Sequence, residues 1–163
     1  MTKILKINFI ILFITWFFLC SIVGAFEAEC VSIKDGDTIA VRFREKIINI
    51  RLYGIDTPEI EQEHGSTAKV FLSNFVYNKK IEVIPKTVDK YGRTVGLIFS
   101  EGMNICQKMV EAGHAWVYRK YCAENFCDYW LELEQNAQKN KIGLWEKNNS
   151  PTPPWIFREK NRE

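Results

Sequence analysis

The sequence predicts a mainly β fold with packed helices (α+β), a small β-barrel carrying its helices on the outside. Three observations lead there. Segments alternating apolar and polar residues gather in the first two thirds of the chain, as two hairpins. One helical pattern lies between the hairpins and two more follow them. A length of 163 residues, 47% of them hydrophobic, suits one globular domain plus a targeting segment.

The chain opens with Lys3 and Lys6, then runs from Ile7 to Phe26 without a charge. Val23 and Ala25 stand at the small-residue positions a signal peptidase reads. Residues 1–25 are thus expected to be a secretory signal, and the protein secreted or periplasmic. The competing reading is an uncleaved membrane anchor, since the run is near the lower length limit for a span. The full chain has 22 Lys+Arg and 20 Asp+Glu, a net charge of +2. Without the two leader lysines the balance is 20 against 20. Global attraction to a polyanion is then weak, and binding needs a local basic face. Lys86, Lys90, Arg93, Arg119 and Lys120 are the candidates.

The first hairpin starts at the acidic turn Asp35-Gly36-Asp37-Thr38. Ile39, Val41 and Phe43 alternate with Ala40, Arg42 and Arg44. After a charged turn, Ile48, Ile50 and Leu52 alternate with Asn49, Arg51 and Tyr53. A second acidic turn, Gly54-Ile55-Asp56-Thr57-Pro58-Glu59, closes the stretch. Folding about Glu45 sets positions summing to about 90 opposite each other. Asp37 then faces Tyr53, with Asp56 just beyond at the same open end. Arg51 points off the face that Ile50 and Leu52 bury. Carboxylates at Asp37, Asp56 and Glu59 can converge there with one guanidinium. Hard cations such as Ca²⁺ take carboxylate and carbonyl oxygens, and arginine grips phosphate oxygens with its planar fork. That combination points to phosphodiester hydrolysis.

His64 to Val76 reads as a helix with Ala68, Val70, Phe71, Leu72, Phe75 and Val76 on its apolar face. Ile81 to Ile84 reads as a strand, and Val88 to Arg93 as a turn into the strand Val95 to Phe99. A helix is expected from Asn104 to Glu111, ended at Gly113. The segment His114 to Tyr118 is extended, its aromatics core-facing, and a last helix spans Tyr129 to Asn140 on Leu131, Leu133 and Ala137. The domain closes near residue 147, and 148–163 forms a proline-rich tail, read as extended.

Cys30, Cys106, Cys122 and Cys127 remain once Cys20 leaves with the signal. In an oxidising compartment four cysteines suggest disulfides, with three connectivities open. Cys122 and Cys127 enclose only Ala-Glu-Asn-Phe, so a local bridge between them closes easily. Cys30 and Cys106 equally suit buried free thiols.

DGDT at Asp35–Thr38, IRLYGIDTPE at Ile50–Glu59 and DKYGR at Asp89–Arg93 occur in that order. Together they resemble the staphylococcal nuclease (thermonuclease) family, over about Cys30 to Trp145. The resemblance implies a five-stranded OB-fold barrel with about three α-helices, a fold that binds oligonucleotides on an open face. It implies a Ca²⁺-dependent nuclease acting on DNA and/or RNA. Asp37, Asp56 and the Thr57 carbonyl would hold the metal. Glu59 would activate the attacking water, which leaves His64 as a surface histidine rather than a base. Arg51 and Arg93 would neutralise charge growing in the transition state. Lys90, Tyr91 and Tyr121 would bind substrate, the tyrosines by stacking on bases. Nothing in the sequence calls for an obligate protein partner, and a monomer is expected. The alternative is a non-catalytic OB module binding nucleic acid or protein, since a fold alone does not set function. Such a module has no physical need for Asp37, Arg51, Asp56, Glu59 and Arg93 together.

Overall fold

The structure, a computed structural model, describes residues 24–147 and 150–161. Residues 1–23 of the segment read as a signal or anchor lie outside the described residues. Strands β1 (Phe26–Ile33), β2 (Thr38–Phe43) and β3 (Lys46–Leu52) form an antiparallel meander, followed by the short β4 (Ile55–Asp56). Helix α1 (Gly65–Val76) leads to the second hairpin, β5 (Lys80–Val88) and β6 (Thr94–Ser100). The chain continues through β7 (Met103–Asn104), α2 (Ile105–Glu111), β8 (Trp116–Val117), α3 (Phe126–Lys139), a 3-10 turn at Gly143–Trp145 and α4 (Pro154–Lys160).

The sheet order is β3-β2-β1-β5-β6-β7, and β3 also pairs in parallel with β6. That last pairing closes the five long strands into a barrel, as expected of an OB fold. Ile39, Val41, Ile50, Leu52, Ile81, Val83 and Ile98 fill it, all buried. Exporting these side chains from water stabilises the barrel by roughly 1.5–3 kcal/mol each, before the entropy of ordering the chain is set against it.

The first hairpin pairs one residue tighter than expected. Phe43 faces Lys46, Thr38 faces Arg51, and Asp37 comes level with Leu52, whose N–H donates to the Asp37 carbonyl at 2.8 Å. The cause is the turn. Arg44 and Glu45 both have positive φ, 46° and 63°, the signature of a two-residue hairpin turn matched to strand twist. Its centre falls between Arg44 and Glu45 rather than on Glu45.

Three further expectations are corrected. Helix α1 buries Gly65, Ala68, Leu72 and Val76, the three- and four-residue spacing of one face, and leaves Val70 61% exposed. Helix α3 starts at Phe126, so its main anchor is Trp130, the largest fully buried side chain; Leu131 and Leu133 are only partly buried. The proline-rich tail is not all extended. Pro153 caps and Pro154 begins α4, because the fixed proline φ suits a first helical position and the missing N–H costs nothing there. Helices of the described residues thus number four.

The Cys122 and Cys127 sulfurs are 1.97 Å apart and form a disulfide. It packs on Gly54, which has φ +72°, and a Cβ there would come within 2.7 Å of Cys122 Sγ. The bridge therefore rests on the turn that leads into Asp56. Cys30 and Cys106 are buried free thiols, and burial pushes their pKa values up to about 11 and about 12.

Candidate active site

The acidic turn before β2, the outer end of β3, and β4 with the loop after it meet at one rim of the barrel. Asp37 is buried, and its Oδ2 accepts from the Thr57 N–H at 2.8 Å and the Thr57 hydroxyl at 3.0 Å. Thr38 donates to Oδ1 at 3.2 Å. These bonds tie the two acidic turns together, as the hairpin geometry anticipates.

Arg51 divides its fork between the two aspartates. Nη1 pairs with Asp37 Oδ1, while Nη2 lies 2.6 Å from Asp56 Oδ1 and also donates to the Ile55 carbonyl at 3.2 Å. The Arg51 side chain is 14% exposed and that of Asp56 is fully buried. Burial pulls the Arg51 pKa below its usual value, opposed by the charges of Asp56 and Asp35. The guanidinium keeps its proton at any physiological pH because its ordinary value lies so high.

Arg93 arrives from the turn between β5 and β6. Parallel pairing sets Thr94 beside Ile50 and Val95 beside Arg51, so this turn overhangs the same rim. Arg93 Nη1 reaches Thr38 Oγ1 at 3.4 Å, and Nε is held by Asp89 Oδ2 at 2.7 Å. Burial pushes the Asp89 carboxyl up, but its bonds with Arg93 and the Tyr91 N–H pull it below the usual range.

Glu59 is half-buried just after β4, and its N–H donates to Gln62 Oε1 at 2.9 Å. Tyr91 and Tyr121 are 68% and 55% exposed, as base-stacking side chains need to be. Each carries a cation over its ring: Lys90 Nζ at 5.0 Å and Arg93 at 5.4 Å for Tyr91, Lys120 Nζ at 5.5 Å for Tyr121. Lys86 is drawn away from this set by Glu124, 2.8 Å from its ammonium.

The residue that sequence reasoning missed is Arg158, on α4. Nη2 lies 2.7 Å from Asp56 Oδ2, and Nη1 lies 2.7 Å from Glu59 Oε1 and 3.2 Å from Asp56 Oδ1. Burial works against its charge, but bonds to Asp56 and Glu59 outweigh that and hold its pKa above the ordinary arginine value. The proline start of α4 was a legible helix signal; its docking place was not.

The comparisons with known proteins decide the family. The family model described as staphylococcal nuclease homologue matches residues 49–147. An uncharacterized endonuclease of Escherichia coli O157:H7 is 37% identical over 153 residues, covering 93% of this chain and 95% of its own length. A micrococcal nuclease of Shigella flexneri is 35% identical over 146 residues, covering 84% and 83%. An uncharacterized endonuclease of Haemophilus influenzae is 38% identical over 132 residues, covering 80% and 72%.

The chain belongs to the staphylococcal nuclease family.

For this family member the donor set at the rim bears on a metal. Asp37 and Asp56 offer oxygen donors alone, the chemistry that suits a hard divalent cation. The same oxygens are engaged by the cationic forks of Arg51 and Arg158, so an ion on Asp56 has to displace a guanidinium contact. Among the described residues no three His, Cys, Asp or Glu side chains converge at metal-ligand distance. A bound ion would therefore complete its shell with carbonyl and water oxygens, as Ca²⁺ and Mg²⁺ commonly do.

Proposed function

We propose that this protein is an exported endonuclease that hydrolyses phosphodiester bonds of DNA and/or RNA with Ca²⁺ as its cofactor. The observation that carries the reading is Arg51 joining Asp37 and Asp56 at one rim, with Glu59 linked to Asp56 through Arg158 and Arg93 bonded to Thr38 beside them. The relatives named as nucleases support the enzyme over a binding module.

In this reading Asp37, Asp56 and the Thr57 carbonyl hold the cation. When bound, the cation supplies Lewis-acid polarisation of a phosphoryl oxygen and a place for the attacking water. Glu59 takes the proton from that water; it is the one carboxylate of the three that is not fully buried. Arg93, turned from Asp89 toward the substrate, neutralises charge growing on the phosphoryl oxygens. Arg51 holds Asp37 and Asp56 at a fixed separation, so these ligands need little reorganisation. Tyr91 and Tyr121 stack on flanking bases while Lys90 and Lys120 lie near the backbone phosphates.

Export is supported by the lysine-flanked apolar run at the N-terminus and by the Cys122–Cys127 disulfide, a bond that persists in oxidising compartments. The protein acts as a monomer in this reading. The test is a gel assay of single- and double-stranded DNA and RNA with the purified protein, in Ca²⁺ or in EDTA. Cleavage with Ca²⁺ and none in EDTA is expected; binding without cleavage under every condition would favour the OB binding module. N-terminal sequencing of the exported protein should start at Phe26, and an intact Met1 in a membrane fraction would favour an anchor.

A further inference from the structure

We infer that α4 is a strap that closes the active site, with Arg158 as a tethered cation competing for the carboxylates a divalent ion and a water need. The inference rests on the reading of Asp56 as a metal ligand and Glu59 as the base.

Two sets of contacts, of different chemistry, place the strap. The first is ionic. The Arg158 guanidinium lies on both oxygens of Asp56 and on Glu59 Oε1, all within 3.2 Å. A cation bound to Asp56 needs those oxygens. The same guanidinium occupies Glu59 Oε1 at 2.7 Å, the position from which that carboxylate would meet a water. The second is aromatic. Trp155 lies face to face on Tyr118, with ring centroids 5.3 Å apart and planes 11° apart. Tyr118 in turn meets Tyr121 edge-on at 4.8 Å. The strap thus covers a face beside a tyrosine assigned to substrate. Trp116 packs edge-on to Trp155 at 6.3 Å, and Gln62 Nε2 donates to the Thr152 carbonyl at 2.9 Å, holding the approach to α4.

The contacts are also of a kind that releases. The Arg158 side chain is 33% exposed, and part-exposed ion pairs are weakened by solvent and salt. A seven-residue helix has little stability apart from its docking. A divalent cation replaces the guanidinium on Asp56, and a phosphodiester offers Arg158 an alternative anion. Closed, the site excludes ion and water; open, it admits both.

The experiment is a Ca²⁺ titration by calorimetry and tryptophan fluorescence on wild type, Arg158→Ala and Trp155→Ala, with oligonucleotide cleavage measured at low and saturating Ca²⁺. Wild type should change its tryptophan emission as Ca²⁺ opens the Trp155–Tyr118 stack. If the strap is open about a tenth of the time, removing it tightens the apparent Ca²⁺ Kd about tenfold. Trp155→Ala leaves the charge unchanged and should tighten it in the same direction. Both variants should cleave faster than wild type at low Ca²⁺. Equal affinity in all three proteins overturns the strap and leaves the metal site standing. Tightening by Arg158→Ala but not Trp155→Ala overturns it too, since the effect is then loss of a local charge. A drop in kcat at saturating Ca²⁺ for Arg158→Ala would make Arg158 a substrate clamp instead. If none of the three titrates with Ca²⁺, the metal-site reading falls and the strap with it.

Discussion

Arg51 Nη2 stands 2.6 Å from Asp56 Oδ1, the carboxylate fully buried and the arginine nearly so. With its other nitrogen on Asp37, Arg51 compensates two buried charges at once. Asp56 keeps Arg158, but loss of Arg51 leaves the buried Asp37 without its guanidinium, and breaking a buried pair in this way costs about 3–5 kcal/mol. Arg51→Ala should therefore lower the urea midpoint of unfolding as well as abolish cleavage. Arg51→Lys keeps the charge but cannot span both aspartates with one planar fork, so it should recover only part of the stability. Unchanged unfolding in Arg51→Ala would show that the pairing contributes nothing net.

Asp37 and Glu59 should respond differently to amide substitution. In the proposed metal site Asp37→Asn removes a charged oxygen ligand, so its activity should return in part as Ca²⁺ is raised. It also disturbs the bonds from Thr57 and Arg51, and its melting temperature should fall. Glu59→Gln keeps the shape and loses the proposed base, with an expected loss of about 10²–10⁴ in rate that no Ca²⁺ concentration restores. Cleavage rates across a Ca²⁺ series separate the two; equal rescue of both would mean the roles are misassigned.

Arg93 is held at the rim by Asp89 and Thr38 rather than buried, which suits a group that turns to a substrate. Arg93→Lys should lose at least roughly tenfold in kcat, with kcat/KM falling alongside, as for an interaction made only in the transition state. Lys120→Ala, beside exposed Tyr121, should mainly raise KM and shallow the salt dependence by about one ion. Steady-state cleavage of a short oligonucleotide at several salt concentrations is the measurement. A change in KM alone for Arg93→Lys would make Arg93 an anchor.

His64 and His114 supply a pH prediction. His64 Nε2 and His114 Nδ1 are 2.8 Å apart, and the His114 ring lies against Phe71 at 4.1 Å between centroids. Burial lowers both pKa values, His114 to about 4 with further help from His64, while Glu146 and Glu63 oppose the shift at His64. Unfolded, each histidine titrates near its ordinary value of about 6.5. Between about pH 4 and 6.5 the unfolded chain therefore binds more protons, and stability rises with pH across that window. The contribution is complete above pH 6.5 and is lost as pH falls toward 4. His114→Gln should flatten this slope in melting curves taken from pH 4 to 7. A wild-type slope retained in the variant would assign the pH dependence elsewhere.

Much of the first hairpin and its chemistry was legible in the residues themselves. Alternation marks a buried face, and two acidic turns flanking one hairpin must meet at its open end, so Asp37, Arg51 and Asp56 belonged together before any coordinates. The register was readable only to within one residue, because it depends on positive φ at Arg44 and Glu45, which side-chain pattern does not report. A loop of four residues made the Cys122–Cys127 bridge readable in the same local way. What only the tertiary structure decided are the meetings of distant segments. Arg93 reaches the site because β6 pairs in parallel with β3, and nothing in either strand names its non-local neighbour. Periodicity says that Trp130 is apolar, not that it takes the core position expected of Leu131 and Leu133. The two histidines, 50 positions apart, form one hydrogen-bonded pair that neither local context reveals. Arg158 lies 102 positions from Asp56. A pattern of period two or 3.6 records which face of an element leaves water, and the partner of that face is settled by packing and charge across the whole chain.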